Sequence, residues 1–209
     1  MAARRRRAAG NAGSADRAEA AIARFLREVV PAEALRGADV VGTPRRVAEA
    51  FRDDLLDGYR MDAAAILRDA MEVPGQDLVA LAGIDFHAVC PHHLLPYRGR
   101  ACVAYVPGGR VVGFGVLARL VDCFAHRLVI QEVLARQVAD ALVHHLGARG
   151  AACVLDAEQM CVTVRGERRR EARAHAQAFA GSMARSAAWQ RRVLRIAGGE
   201  PAPAGRRRR

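Results

Sequence analysis

Apolar residues recur at helical spacing from Asp16 to Val30 (DRAEAAIARFLREVV), behind an aspartate suited to capping, and predict a helix. Thr43-Pro44 opens a second one. Threonine takes the N-cap, proline takes the first helical position where its missing N–H costs nothing, and the pattern runs to Gly58. Past Pro74 and Gly75 the period changes. DLVALAGIDFHAVC and RACVAYVP are rich in strand formers, and Gly108-Gly109 followed by RVVGFGV predicts a hairpin. Helical spacing returns in VLARLVDCFAHR and in IQEVLARQVADALVHHLG, which should end at Gly147. GAACVLDAEQMCVTVRG then reads as two strand segments around a short break. The stretch from Arg169 to Gly198 reads as mostly helical by propensity. Helices, strands, helices and strands in one block imply a single α+β domain.

Composition adds limits. With 209 residues and 52% hydrophobic positions there is room for one domain with a real core, built largely from Val, Leu and Ala. No run approaches the ~18 consecutive apolar residues of a membrane span. The N-terminal arginine run has no apolar segment behind it, so a soluble cytoplasmic protein without a signal peptide or membrane partner is expected. The net charge of +11 is concentrated at the ends, in Arg4–Arg7 and Arg206–Arg209. These segments, rich in Ala, Gly, Pro and Arg, are expected to be disordered tails (1–15 and 196–209) around a domain at 16–195. Within it, N-terminal helices are expected over 16–60 and a catalytic core over 77–181. Aromatic interleaving for base stacking is absent, so nucleic acid is not the expected partner. All 33 basic residues are arginine.

The candidate chemistry lies in DFHAVCPHHLLPYRG, Asp85 to Gly99. Cys90 and His93 are borderline-soft groups of the kind zinc prefers, and equally a small core thiol and a locally hydrogen-bonded imidazole. A catalytic zinc takes three protein ligands, and Cys161, in a strand-like segment before Arg165-Gly166, is a candidate third. The five cysteines form an odd set without secretory context, which favours reduced thiols. Pro91 is unexpected between two candidate ligands, because it fixes φ and removes a donor.

Four blocks, in register, resemble GTP cyclohydrolase I, a family of zinc enzymes of pteridine biosynthesis. GTPRRVAEAFRDDLLDGY is similar to the family's TPxRV helix, and FHAVCPHHLLPYRGRACVAYVP to its CEHHLLPFxG block. VVGFGVLARLVDCFAHRLVIQE resembles its GLSKLxRIV…QVQE block, and DAEQMCVTVRG its EAxHxCMxxRG block. The resemblance covers about two-thirds of the chain, from Thr43 to about Gly181. It implies the tunnelling fold, an antiparallel sheet with helices packed on one face. It further implies assembly into a ring-shaped homo-oligomer, a decamer in this family, with sites at subunit interfaces. Matched position by position, it implies zinc on Cys90, His93 and Cys161, with His92 handling protons beside the metal. Gln131 and Glu132 would hold the guanine edge, and Arg46, Arg119 and Arg165 the phosphates. The implied reaction opens the imidazole ring of GTP at C8, through water activated by the metal, and proceeds to 7,8-dihydroneopterin triphosphate and formate.

Departures cluster on the same motifs. Pro91 stands for the glutamate of CEHH, Gly115-Val116 for the Ser-Lys pair, and Gln159 for the histidine of EAxHxC; the family's T-x-T-S stretch is replaced by EARAHAQAFAG. A lysine that became valine has lost its charge, and Arg168–Arg170 are either candidates to replace it or a solvated turn. Glutamine hydrogen-bonds but does not titrate, so Gln159 at this catalytic position cannot act as acid or base. The expectation is hydrolytic ring opening of GTP or a related guanine nucleotide, with a formamidopyrimidine product if the later steps are lost. The alternatives are the same fold acting on a less phosphorylated purine nucleotide, and a non-catalytic, zinc-stabilised oligomeric binding protein.

Overall fold

The computed structural model describes residues 2–74 and 77–199, with side chains from Asp16 onward apart from Ala38. In chain order its elements begin with helices α1 (Ala2–Val29), α2 (Ala38–Val41), α3 (Thr43–Ala50) and α4 (Ala63–Ile66). Strands β1 (Met71–Glu72), β2 (Val79–Val89), β3 (Pro96–Val106) and β4 (Arg110–Val111) follow, then helices α5 (Phe114–Ala125) and α6 (Gln131–Leu146). The remainder is β5 (Gly150–Gln159), α7 (Met160–Thr163), β6 (Ala174–Gly181) and α8 (Ala187–Ala197). The described residues fall into two compact units, one up to Asp57 and one from Gly58 onward.

In the first unit α1 packs against α3. The helix is already under way at Ala2, so Asp16 is an interior residue and not a cap, and residues 2–15 are helical where a disordered tail was expected. Alanine and arginine are both strong helix formers, and summed over this window their propensity favours the helix. Thr43 is the first residue of α3 and Gly42 its cap. The threonine hydroxyl instead accepts from Arg46 Nη2 at 3.0 Å. The helix does not run unbroken to Gly58: Phe51–Leu55 forms a π turn and Asp57–Arg60 a 3₁₀ turn. The expected C-terminal tail begins in the last residues of α8, and its residues 200–209 lie outside those described.

The second unit is built on an antiparallel sheet of order β2-β3-β5-β6. Alternation along the strands sorts residues onto two faces. Tyr97, Ala101, Val103 and Tyr105 of β3 and Ala151, Cys153, Leu155 and Ala157 of β5 form one core with Leu117 and Leu120 of α5 and Leu134, Val138 and Leu142 of α6. On β2 the parity switches. Val79 and Leu81 face this core before a bulge, and Ile84, Phe86 and Ala88 face it after. Gly83 sits in the bulge at φ 75°, where a side chain is disfavoured. The opposite face is not bare, as the expectation of helices on one side only would have it. Ala104, Val106 and Ala152 pack with Met183 and with Val193 of α8. Small alanines make that face shallow enough for an amphipathic helix to lie close. Further along, the same face carries Arg98, Arg100, Asp156 and Glu158.

Three other local expectations change. Gly108-Gly109 does not make a hairpin with β3, because β4 pairs with β1 instead, Met71 opposite Val111. The second half of GAACVLDAEQMCVTVRG is the helical turn α7, and AHAQAFAG, helical by propensity, is strand β6. Pairing along β5 overrides the helix preference of its alanines.

Gly99 lies midway along β3, between Phe86 of β2 and Ala157 of β5. A Cβ there would overlap the backbone of Asp156 and Ala157. Gly99→Ala should therefore destabilise the protein by about 1–3 kcal/mol, as overpacking does, read as a lower midpoint in urea unfolding.

Candidate metal centre

At the end of β2 the chain turns back on itself within a few residues. Cys90 N–H donates to Leu95 O at 2.9 Å, and Leu94 N–H donates to Cys90 O at 2.9 Å. Leu94 takes φ 55°, a left-handed conformation that closes the turn. Both bonds start from residues other than Pro91, so the missing N–H of the proline removes none of them. The turn projects two imidazoles in different directions: His92 and His93 meet edge-on, centroids 6.2 Å apart, and His92 Nδ1 lies 3.6 Å from Cys90 Sγ.

The third residue arrives from β5. That strand stops at Gln159, and the single turn α7 lifts Cys161 into place. The ligand atoms of Cys90, His93 and Cys161 all lie within 4.8 Å of one another, the one such group of three or more among the described residues. Two thiols and an imidazole at this separation are the donor set of a three-coordinate zinc site with room for a further ligand. Burial pushes the Cys161 thiol above its ordinary value, and the neighbouring Cys90 adds to it, while the charge of Arg165 opposes both. A bound cation would relieve that crowding. The other cysteines lie in packed interior; burial alone pushes Cys102 up to about 11, the behaviour of an inert thiol.

The facing wall is the start of α6. Tyr97, fully buried at the head of β3, donates its hydroxyl to Val129 O at 3.0 Å, and Val129 N–H donates to Val89 O at 3.2 Å. These two bonds tie the α5–α6 link to the head of β3 and to the end of β2, beside Cys90. Tyr97 and Val129 were not among the residues singled out from sequence; the alternation that puts Tyr97 on the core face is the signal that would have found them. Glu132 sits in the first turn of α6, where the helix dipole favours a carboxylate. Gln131 is 3% exposed, and its Nε2 donates to Leu155 O at 3.2 Å and Ala174 O at 2.9 Å. Gln159 Nε2 donates to Gln131 Oε1 at 2.7 Å. The expectation that Gln131 holds a guanine edge therefore narrows. Both its amide hydrogens are given to backbone carbonyls, and only a lone pair of Oε1 is left.

A cavity of 230 Å³ gathers Cys90, His92, Gln131, Glu132, Gln159 and Cys161. The arginines expected at the phosphates are not among its lining residues. Arg119 is exposed on α5 and Arg165 is exposed just beyond α7. Arg46 belongs to the first unit, where it donates to Asp39 O at 2.7 Å as well as to Thr43. Arg168 and Arg170 line a different hollow with Glu158 and Thr163. Glu158 and Gln159 are successive strand residues and point to opposite faces, so this basic loop lies across the sheet from the cavity. Val116 packs against the core and presents nothing polar.

An α+β sheet ending in a Cys90-His93-Cys161 group, beside a cavity walled by a carboxylate and two amides, has the donor set of a metal-assisted hydrolase. The sequence model of GTP cyclohydrolase I matches residues 18–198, and the chain belongs to that family. It is 48% identical over 139 residues to GTP cyclohydrolase 1 of Ralstonia nicotianae, 66% of each chain. It is 42% identical over 153 residues to the enzyme of that name from Chromobacterium violaceum, 73% of this chain and 74% of the relative. With that of Campylobacter lari it shares 43% over 145 residues, 69% of this chain and 76% of the relative.

If the three residues hold zinc, protein purified without chelator should carry close to one zinc per chain by metal analysis. Cys161→Ala and His93→Ala should each lose it on dialysis, while Cys102→Ala should retain it.

Proposed function

We propose that this chain hydrolytically opens the imidazole ring of a guanine nucleotide, GTP or a close relative, at C8. The observation that carries the reading is the cavity itself, in which Cys90, Cys161, His92, Glu132 and Gln159 share one small volume. Bound by Cys90, His93 and Cys161, zinc would supply the Lewis acidity that makes water nucleophilic near neutral pH. Glu132 accepts from the N1–H and 2-amino group of guanine, two parallel donors that match a carboxylate. His92 takes the proton that the attacking water loses and passes it to N7 as water adds at C8, then takes the proton of the C8 hydroxyl and passes it to N9 as the C8–N9 bond breaks; imidazole suits this traffic at physiological pH. One water is consumed and the product is a formamidopyrimidine. Release of formate and conversion to 7,8-dihydroneopterin triphosphate require further proton transfers, for which Gln159 supplies no titrating group.

A second reading, action on a nucleotide with fewer phosphates, is favoured by Val116, which packs against the core and offers no charge where the family resemblance implies a lysine. Arg119 and Arg165, both exposed, and Arg46 are the proposed phosphate donors, as forked groups suited to phosphate oxygens. Assembly as a ring-shaped homo-oligomer is part of the proposal. It is supported by the outer edges of β6 and of β2 before Val89, which pair with no further strand among the described residues and could continue the sheet between copies.

Incubation with GTP should give loss of the purine absorbance without formate or pterin fluorescence. Formate and pterin together would establish the full reaction, and zinc binding without turnover would leave a binding protein. Comparison of GTP, GDP, GMP and guanosine decides the second reading, which a strict need for GTP would exclude. Glu132→Gln should lower kcat/KM by roughly 10- to 100-fold, the cost of replacing a charged acceptor with a neutral amide. Light scattering should give the mass of a ring, ten chains if the assembly is a decamer.

A further inference from the structure

Gln131 and Gln159 form a chain of amides whose orientation is determined at one end. The two hydrogens of Gln131 Nε2 are placed between two backbone carbonyls, Leu155 O on β5 and Ala174 O on β6. Flipping this buried amide would set Oε1 against both carbonyl oxygens, so the flip that leaves amide assignments open elsewhere is closed here. Oε1 must then accept, and what it accepts is Gln159 Nε2, at 2.7 Å. The orientation of Gln159 follows: nitrogen toward Gln131, carboxamide oxygen turned away. That oxygen accepts no hydrogen bond among the described residues and is not a buried unsatisfied atom, while the Gln159 side chain lines the cavity with Glu132, His92 and Cys161.

We infer that Gln131 is a positioning residue that acts on a bound nucleotide only through Gln159, and that the Gln131–Gln159 pair holds the Gln159 carboxamide oxygen as a fixed acceptor for an N–H or O–H of the occupant. The inference rests on the reading of the cavity as a guanine nucleotide site. It departs from that reading in one respect. Gln131 leaves the substrate clamp, and the specificity contact passes to Gln159 at the end of β5, opposite Tyr97. A residue at 159 must then do two things at once, donate to Gln131 Oε1 and accept from the ligand. Glutamine and a neutral imidazole can do both. A carboxylate has no hydrogen to donate, and leucine can do neither.

The test is titration of the zinc-loaded protein at pH 8 with 7-deaza-GTP, which lacks N7 and is not opened, so that binding is measured apart from chemistry. Gln159→His should bind within about threefold of the unmodified chain, whereas Gln159→Glu and Gln159→Leu should bind at least about tenfold more weakly, the loss of one to two hydrogen bonds. Gln131→Leu should weaken binding by about the same factor in the unmodified chain and cost nothing further in the Gln159→Leu background, since residues that act as a unit are not additive. Equal affinity of the Glu and Gln proteins would overturn the inference, as would an additive Gln131→Leu effect. If Gln131→Leu does not fold, the three variants at 159 still decide the matter. If the unmodified chain binds no 7-deaza-GTP, the nucleotide reading fails first. The pair is then judged by melting temperature: Gln159→Glu, with a carboxylate against Gln131 Oε1, should melt below Gln159→His. Indistinguishable melting would dispose of the pair as well.

Discussion

Ten residue pairs join β3 to β5, from Tyr97 opposite Gln159 to Val106 opposite Gly150, and everything at the cavity depends on that register. It sets how far along the sheet β5 runs before α7 begins, and therefore where Cys161 meets the turn that carries Cys90 and His93. It also sets which face Gln159 joins. A slip of one residue would turn Gln159 to the open face and bring Glu158 to the core face, since strand side chains alternate with a period of two. Such a slip is resisted by burial. Tyr97, Ala101, Val103 and Tyr105 on one strand and Ala151, Cys153, Leu155 and Ala157 on the other would all change faces with it.

The candidate metal ligands come from two chain segments about seventy residues apart, and no local interaction brings them together. What does so is the shared end of the sheet. There β2 stops, β3 starts and β5 stops, and α6 is tied alongside through Tyr97 and Val129. Each arrives on a regular element, so the cavity is held by strand pairing and helix packing. Gln131 adds a cross-link at the same end, bonding α6 to the carbonyls of β5 and β6. Pro91 takes a turn position whose N–H is unused, and Val116 adds apolar area to the core.

The charges are distributed in a way composition alone does not convey. The open part of the sheet carries a ladder of ion pairs, Arg173 with Asp156 at 2.8 Å, Arg100 with Asp85 at 3.5 Å and Arg98 with Glu158 at 3.6 Å. These are exposed pairs, worth a few tenths of a kcal/mol to about 1 kcal/mol each and screened by salt. They occupy arginines that would otherwise read as a polyanion surface. Arg168 and Arg170 lie on this side too, beside Glu158, away from the cavity within the chain.

By itself, the sequence determined the parts with a strong local signal. The period of two in β2 and β3, the period of 3.6 in α5 and α6, and the spacing of Cys90 and His93 on one short turn were all legible, and the four family blocks placed Cys161 with them. Where local preference and tertiary context disagree, the structure decided. Alanine-rich 174–181 is a strand because β5 offers it a ladder, 160–163 is a helical turn because the ladder has ended, and 110–111 pairs with β1 and not with β3. The role of Gln131 belongs to the same class. Its identity could be matched to a family position, but the fate of its two amide hydrogens depends on carbonyls 24 and 43 residues away. Hydrogen bonds between such distant groups exist only once the sheet has brought their backbones together.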